Sequence, residues 1–196
     1  MRVIAGSARR LLLKTVEGKE VRPTTDRIKE TLFNILQDKI EGCIFLDLFA
    51  GSGAIGIEAL SRGAKKAFFV DKDRRALSCI EENLRHTKLE ERAKILRMDA
   101  LTALNRLEKT EKEAFDIVFI DPPYEREEEE EILKRLIKMD LINQESLIII
   151  ELSKKTETED LLKEWDVLKI KEYKSNKHVF IRRRQENVGS SLSGQL

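Results

Sequence analysis

The sequence predicts an α/β fold, a parallel sheet covered by helices on both faces, and three observations predict it. Five short apolar runs (43–49, 65–71, 93–99, 115–121 and 146–152) alternate with segments of helical periodicity near 54–62, 74–88, 100–108 and 126–138. Alternation of this kind packs as a parallel sheet between helical layers. The first run also leads through a glycine-rich turn into a helical segment, and aspartates stand at or near the ends of four runs: Asp47, Asp71, Asp99 and Asp121.

Taken in order, the chain opens with a hairpin-like pattern: Arg2–Ala5, a turn at Gly6-Ser7, then Leu11–Val16. A helix is expected from Thr25 to Asp38, with Ile28, Leu32, Ile35 and Leu36 on its apolar face. Cys43–Phe49, Lys65–Asp71, Ala93–Asp99, Phe115–Asp121 and Ser146–Leu152 are the expected strands. In the helix after the second of them, Leu77, Ile80 and Leu84 follow the i, i+3, i+7 pattern and Asp73 is placed to cap it. The acidic run Glu125–Glu131 reads as a helix start, because acids favour helix N-termini. After Leu152 a short helix near 157–164 is expected. Two strand-like runs, Asp166–Lys174 and His178–Arg184, then form a hairpin closing one edge of the sheet. Residues 185–196 are rich in Ser, Gly, Gln and Asn and read as a disordered tail. The expected organisation is an extension over 1–40, a main domain over 41–184, and the tail.

Composition narrows the class. No run reaches the 18 apolar residues of a membrane span, and Leu11–Leu13 is too short for a signal-peptide core. Cys43 and Cys79 sit in apolar patterns and read as buried thiols, so a cytoplasmic protein is expected. The net charge of +1 is unevenly spread. Residues 1–29 carry eight Lys/Arg against three Asp/Glu, and residues 170–184 are basic as well. Two basic ends around a near-neutral body fit a nucleic-acid footprint. Arg2, Arg9, Arg10 and Lys14 are candidate phosphate contacts, which set affinity and salt dependence rather than sequence preference. His86 and His178 lie in no ligand-like cluster and read as surface or structural residues; Trp165 reads as core.

The glycine-rich turn runs from Asp47 through Gly51, Gly53 and Gly56. Glycines there let a ligand approach the backbone, and a helix N-terminus favours an anion. A dinucleotide pyrophosphate and the carboxylate of S-adenosylmethionine both fit that description. Asp47 separates them, since an acid repels pyrophosphate but attracts the ammonium of S-adenosylmethionine. Asp71, about twenty residues past Gly51, is placed for ribose hydroxyls, and Asp99 for an adenine amino group.

Residues 115–124 carry the chemistry: Phe-Asp-Ile-Val-Phe-Ile-Asp-Pro-Pro-Tyr. A buried strand ends on Asp121, and two prolines stiffen the turn that follows. Asp121 and the Pro122 carbonyl can accept the N–H groups of an aromatic amine while Tyr124 stacks on its ring. Pro123 borders the same substrate side. No metal is called for.

The chain resembles the RsmD family of bacterial small-subunit ribosomal RNA guanine-N2 methyltransferases over roughly residues 2–184. The resemblance rests on Arg2-Val-Ile-Ala-Gly6, on the stretch from Arg22 to Asn34 (Arg-Pro-Thr-Thr-Asp-Arg-Ile-Lys-Glu-Thr-Leu-Phe-Asn), on the stretch from Asp47 to Gly63, and on Asp121-Pro-Pro-Tyr124. It implies a Rossmann-like, seven-stranded class I methyltransferase sheet with an N-terminal hairpin-and-helix extension. It also implies S-adenosylmethionine as cofactor, contacted by Asp47, Phe49, Gly51, Gly53, Asp71 and Asp99. Arg22, Thr24, Thr25 and Arg27 would lie over the methionine end of the cofactor, with Thr25 a contact and Arg22 and Arg27 facing the RNA entrance. The implied target is a guanine in the decoding region of 16S rRNA, guanine 966, presented on small subunits or their assembly intermediates. A monomer without membrane association is expected. Taken alone, Asp-Pro-Pro-Tyr equally suits DNA adenine-N6 or protein glutamine methylation. A catalytically silent RNA-binding assembly factor is the remaining alternative.

Overall fold

The computed structural model describes residues 1–16, 26–122 and 128–184. Its elements are α1 (Asp26–Ile40), β1 (Ile44–Asp47), α2 (Ala54–Ser61), β2 (Lys66–Asp71), α3 (Arg74–Thr87), a 3-10 turn (Glu90–Arg92), β3 (Ala93–Arg97), α4 (Ala100–Thr110), β4 (Ile117–Ile120), α5 (Glu128–Leu136), β5 (Leu147–Ser153), β6 (Trp165–Glu172) and β7 (Asn176–Arg183). The seven strands form one sheet in the order β3-β2-β1-β4-β5-β7-β6. The first five are parallel, and β7 runs antiparallel to both its neighbours.

β1 and β4 are buried along their whole length, as parallel strands covered on both faces must be. One core cluster joins Val3, Ala8 and Leu13 of the N-terminal segment to Leu32 and Phe33 of α1, Ile57 of α2 and Phe45, Phe69 and Phe119 of the sheet. The other lies on the opposite face, where Leu104 and Leu107 of α4 and Ile132 and Leu136 of α5 meet Leu46, Phe68 and Val118. Asp73 caps α3 as expected, accepting from the Arg75 N–H at 2.8 Å. Cys43 and Cys79 are buried free thiols, and Trp165 is core. Among the described residues, no helix is long and apolar enough to cross a membrane.

The structure corrects two expected elements. Residues 157–164 form turns, not a helix: that stretch carries only two apolar side chains before Trp165, and of these Leu162 alone is buried. The N-terminal hairpin reduces to a single bridge, Arg2 with Leu12. The reason is a competing acceptor. The N–H groups of Ile4 and Ala5 donate to the Glu58 carboxylate at 2.8 and 3.0 Å. Glu58 is wholly buried; it also pairs with buried Lys29 at 3.0 Å and with Arg62 at 2.8 Å. The segment is therefore fastened to α2 rather than zipped to itself.

Candidate active site

The carboxyl ends of β1, β2 and β4 open on a cavity of ≈ 900 Å³. Strand order reverses at β1, with β2 on one side and β4 on the other, and open α/β sheets bind ligands in the crevice at such a point. The register explains why acids converge there. Asp47 is level with Phe69 and Phe119, and Phe119 with Ile149. Residues two apart on a strand share a face. Asp71, Asp121 and Glu151 therefore lie on the same face as Asp47, and all four line the cavity.

The turn between β1 and α2 has the backbone its glycines permit: φ is +54° at Gly51 and +78° at Gly53, values that side-chain-bearing residues rarely adopt. Nothing lies within 4 Å of where a Gly51 side chain would begin, so a ligand can reach the backbone. Gly56 serves packing instead, since an added Cβ would stand 2.4 Å from the Phe69 ring. Asp71 holds the loop, accepting from the Gly51 N–H at 2.9 Å and from the Asp73 N–H at 2.8 Å. Phe49 is half-buried on the cavity wall.

Asp47 is 1% exposed and accepts only the Gly56 N–H, at 3.2 Å, among the hydrogen bonds of its carboxyl group described. Burial, with a smaller contribution from the charge of Asp71, pushes its pKa up to about 7. Asp121 opens partly on the cavity. Burial, then the neighbouring charges of Glu151 and Asp47, drives its carboxyl well above the usual range. Both acids are thus short of positive charge, and a cationic ligand would relieve them. Asp99 differs from expectation. β3 ends at Arg97, and Asp99 is the exposed N-cap of α4, accepting from the Thr102 N–H at 2.9 Å. That bond holds its carboxyl below the usual range, and the residue still lines the cavity.

Pro122 lines the cavity beside Asp121. Pro123, Tyr124, Arg22, Thr24 and Thr25 lie outside the described residues. The N-terminal segment reaches the cavity at Met1, Thr15 and Val16. Its arginines are placed otherwise. Arg2 is paired with Asp26 at 3.0 Å. Arg9 and Arg10 are exposed on a turn whose Ser7 N–H bonds the Ser61 carbonyl, at the far end of α2 from the glycine loop, roughly 12 Å away along an eight-residue helix. Arg27 is exposed in the first turn of α1. Glu128 and Glu131 begin α5 as expected, and they also border the cavity.

Four residues at this site were not singled out for it by sequence: Glu151, Tyr173, Asn176 and His178. Glu151 ends a run of isoleucines in β5, the same strand-end signal that marks Asp121. His178 is buried, with Nε2 2.9 Å from Glu151 Oε2.

The model of the family described as Conserved hypothetical protein 95 matches residues 1–182. Ribosomal RNA small subunit methyltransferase D of Haemophilus influenzae is 37% identical over 155 residues, 79% of either chain. The solved structure of the Escherichia coli protein yhhF superposes with a TM-score of 0.79 at 33% identity, covering 95% of this chain and 99% of that one. At 16% identity, the precorrin-6y C5,15-methyltransferase of Geobacter metallireducens covers 88% of this chain and 94% of its own, with a TM-score of 0.69. It speaks to the fold alone, which is the Rossmann-like class I methyltransferase sheet.

Proposed function

This chain belongs to the RsmD family of ribosomal RNA methyltransferases, and on that premise we propose that it methylates the exocyclic N2 of a guanine in small-subunit rRNA. The cofactor is S-adenosylmethionine, and the residues present fit it. The open backbone at Gly51 admits a ligand, and buried Asp47, with its raised pKa and a single N–H donor described on its carboxyl group, calls for a cation. Asp47 receives the ammonium group, Asp71 the ribose hydroxyls and Asp99 the adenine side, while Phe49 supplies an apolar wall. When bound, the cofactor supplies an electrophilic methyl group on a sulfonium that is already a good leaving group.

The protein's task is then to present the nucleophile. The guanine N2 lone pair is delocalised into the ring. The Asp121 carboxylate and the Pro122 carbonyl accept its two N–H bonds, which favours a pyramidal nitrogen aimed at the methyl group, and Tyr124 stacks on the base. Rate comes from orientation and electrostatics. As the new N–CH₃ bond forms, the nitrogen sheds a proton, and Asp121, whose proton affinity is raised, takes it. The base must leave its stack to reach this pocket. Arg9 and Arg10 contact phosphates away from the cofactor, with Arg22 and Arg27 nearer the entrance. The substrate is 16S rRNA within small subunits or their assembly intermediates, and the enzyme acts as a monomer in the cytoplasm.

The observation that carries this reading is the placement of Asp121 and Pro122 in the same cavity as Asp47 and the glycine loop. The test is methyl transfer from labelled S-adenosylmethionine to undermethylated small subunits, with naked rRNA, DNA and protein as parallel acceptors. N2-methylguanosine from the subunits is expected. Label in adenine or glutamine overturns the substrate, and no label at all with cofactor bound supports a silent assembly factor.

A further inference from the structure

We propose that Glu151 selects guanine by accepting a hydrogen bond from the ring N1–H, beside the amine held by Asp121; the inference rests on the guanine reading above. Ile120 of β4 is level with Ile150 of β5. The next residue on each strand, Asp121 and Glu151, therefore stand side by side on strands about 4.8 Å apart, both on the cavity wall. β7 braces Glu151 from behind. Asn176 Nδ2 donates to Oε1, and His178 Nε2 lies 2.9 Å from Oε2. The Tyr173 hydroxyl is 3.3 Å from His178 Nδ1. A neutral imidazole carrying its proton on Nε2 satisfies both partners, with the tyrosine donating to Nδ1. The ring is wholly buried and packs edge-on against Phe119 and Tyr173. Glu151 is thus a positioned acceptor supported by a second layer of hydrogen bonds.

Guanine presents N1–H and N2–H as adjacent donors on one edge, and two adjacent carboxylates match them. Adenine presents a lone pair at N1, which a carboxylate repels. Asp121 alone would hold the amino group of either base, so the second acid supplies the discrimination. A site built to bond a substrate donor strongly rejects an analogue lacking it, because the buried acceptor is left unpaired.

The test uses small subunits reconstituted with 2-aminopurine at the target position, which keeps the 2-amino group but makes N1 an acceptor. The wild-type enzyme is expected to favour guanine by about 100-fold in kcat/KM, as a charge-assisted hydrogen bond implies. Glu151→Gln offers N1 an amide donor. It is expected to narrow that ratio by about tenfold or more while still binding S-adenosylhomocysteine. His178→Gln, which loosens the brace, should narrow it less and provides a second variant. Equal rates on both bases in the wild type, or an equal slowing of both by Glu151→Gln, overturns the proposal. Absence of N2-methylguanosine from unmodified subunits instead overturns the reading beneath it.

Discussion

Replacing Asp47 with Asn should make the cofactor-free protein more stable at high pH while weakening cofactor binding. The folded-state pKa of Asp47 is raised to about 7 from 3.8. A group raised in this way contributes stability that is fully present below the unfolded value and is lost as pH rises through the folded one. From pH 5 to pH 7 the wild type loses about 1.4 kcal/mol per unit, about 3 kcal/mol in all, and little more above that. Asparagine carries no charge and still offers an oxygen to the Gly56 N–H. Any fixed cost of its amide group is the same at both pH values and cancels. Groups with lowered pKa, such as Asp26 and Glu111, act oppositely but equally in both proteins. For a chain of this size 1 kcal/mol moves Tm by about 2–4 °C. The Tm of the variant relative to wild type should therefore rise by about 6–12 °C between pH 5 and pH 8. Thermal scans without cofactor measure this directly. Calorimetry should show S-adenosylhomocysteine releasing protons near neutral pH from the wild type and far fewer from the variant. Parallel Tm–pH curves would refute the argument, because they would mean that Asp47 is not the buried acid the fold places there.

Asp121→Ala should lower kcat by about 100-fold or more with cofactor affinity nearly unchanged, measured by single-turnover transfer and equilibrium binding. Glu58→Ala strands Lys29, which has no exposed side-chain surface; urea unfolding should report a loss of about 3–5 kcal/mol. Gly56→Ala drives a methyl group into the Phe69 ring and should cost about 1–3 kcal/mol, partly restored by Phe69→Leu. Arg9→Gln and Arg10→Gln should each weaken RNA binding and reduce its salt slope by about one, with turnover of bound substrate retained.

Much of the site was legible because its signals are local. Asp47, Asp71 and Asp121 each end an apolar run, and Gly51 and Gly53 sit in a turn between a strand and a helix. Glu151 carries the same signal, but its meaning depends on partners from β7. That strand inserts between β5 and β6, a long-range pairing that no periodicity announces, so His178 looked like an isolated histidine. Asp99 was misplaced for a related reason: an acid just past a strand also suits a helix cap, and the backbone chose the cap. The hairpin failed because Glu58, in the apolar stretch Ile-Glu-Ala-Leu, gave no hint that it would capture the N–H groups of Ile4 and Ala5. The 157–164 helix failed because its sequence has too few apolar positions to bury a face.

The Glu58 knot has a mechanical consequence. It joins residues 4 and 5, α1 through Lys29, and the helix that begins at the cofactor loop. An RNA strand gripping Arg9 and Arg10 pulls on a turn bolted to the far end of that same helix. The basic segment is therefore not a loose tether with its own freedom. It is one end of a rigid lever whose other end carries Gly51 and Gly53, and load applied by a docked ribosomal particle is delivered to the floor of the cofactor cleft.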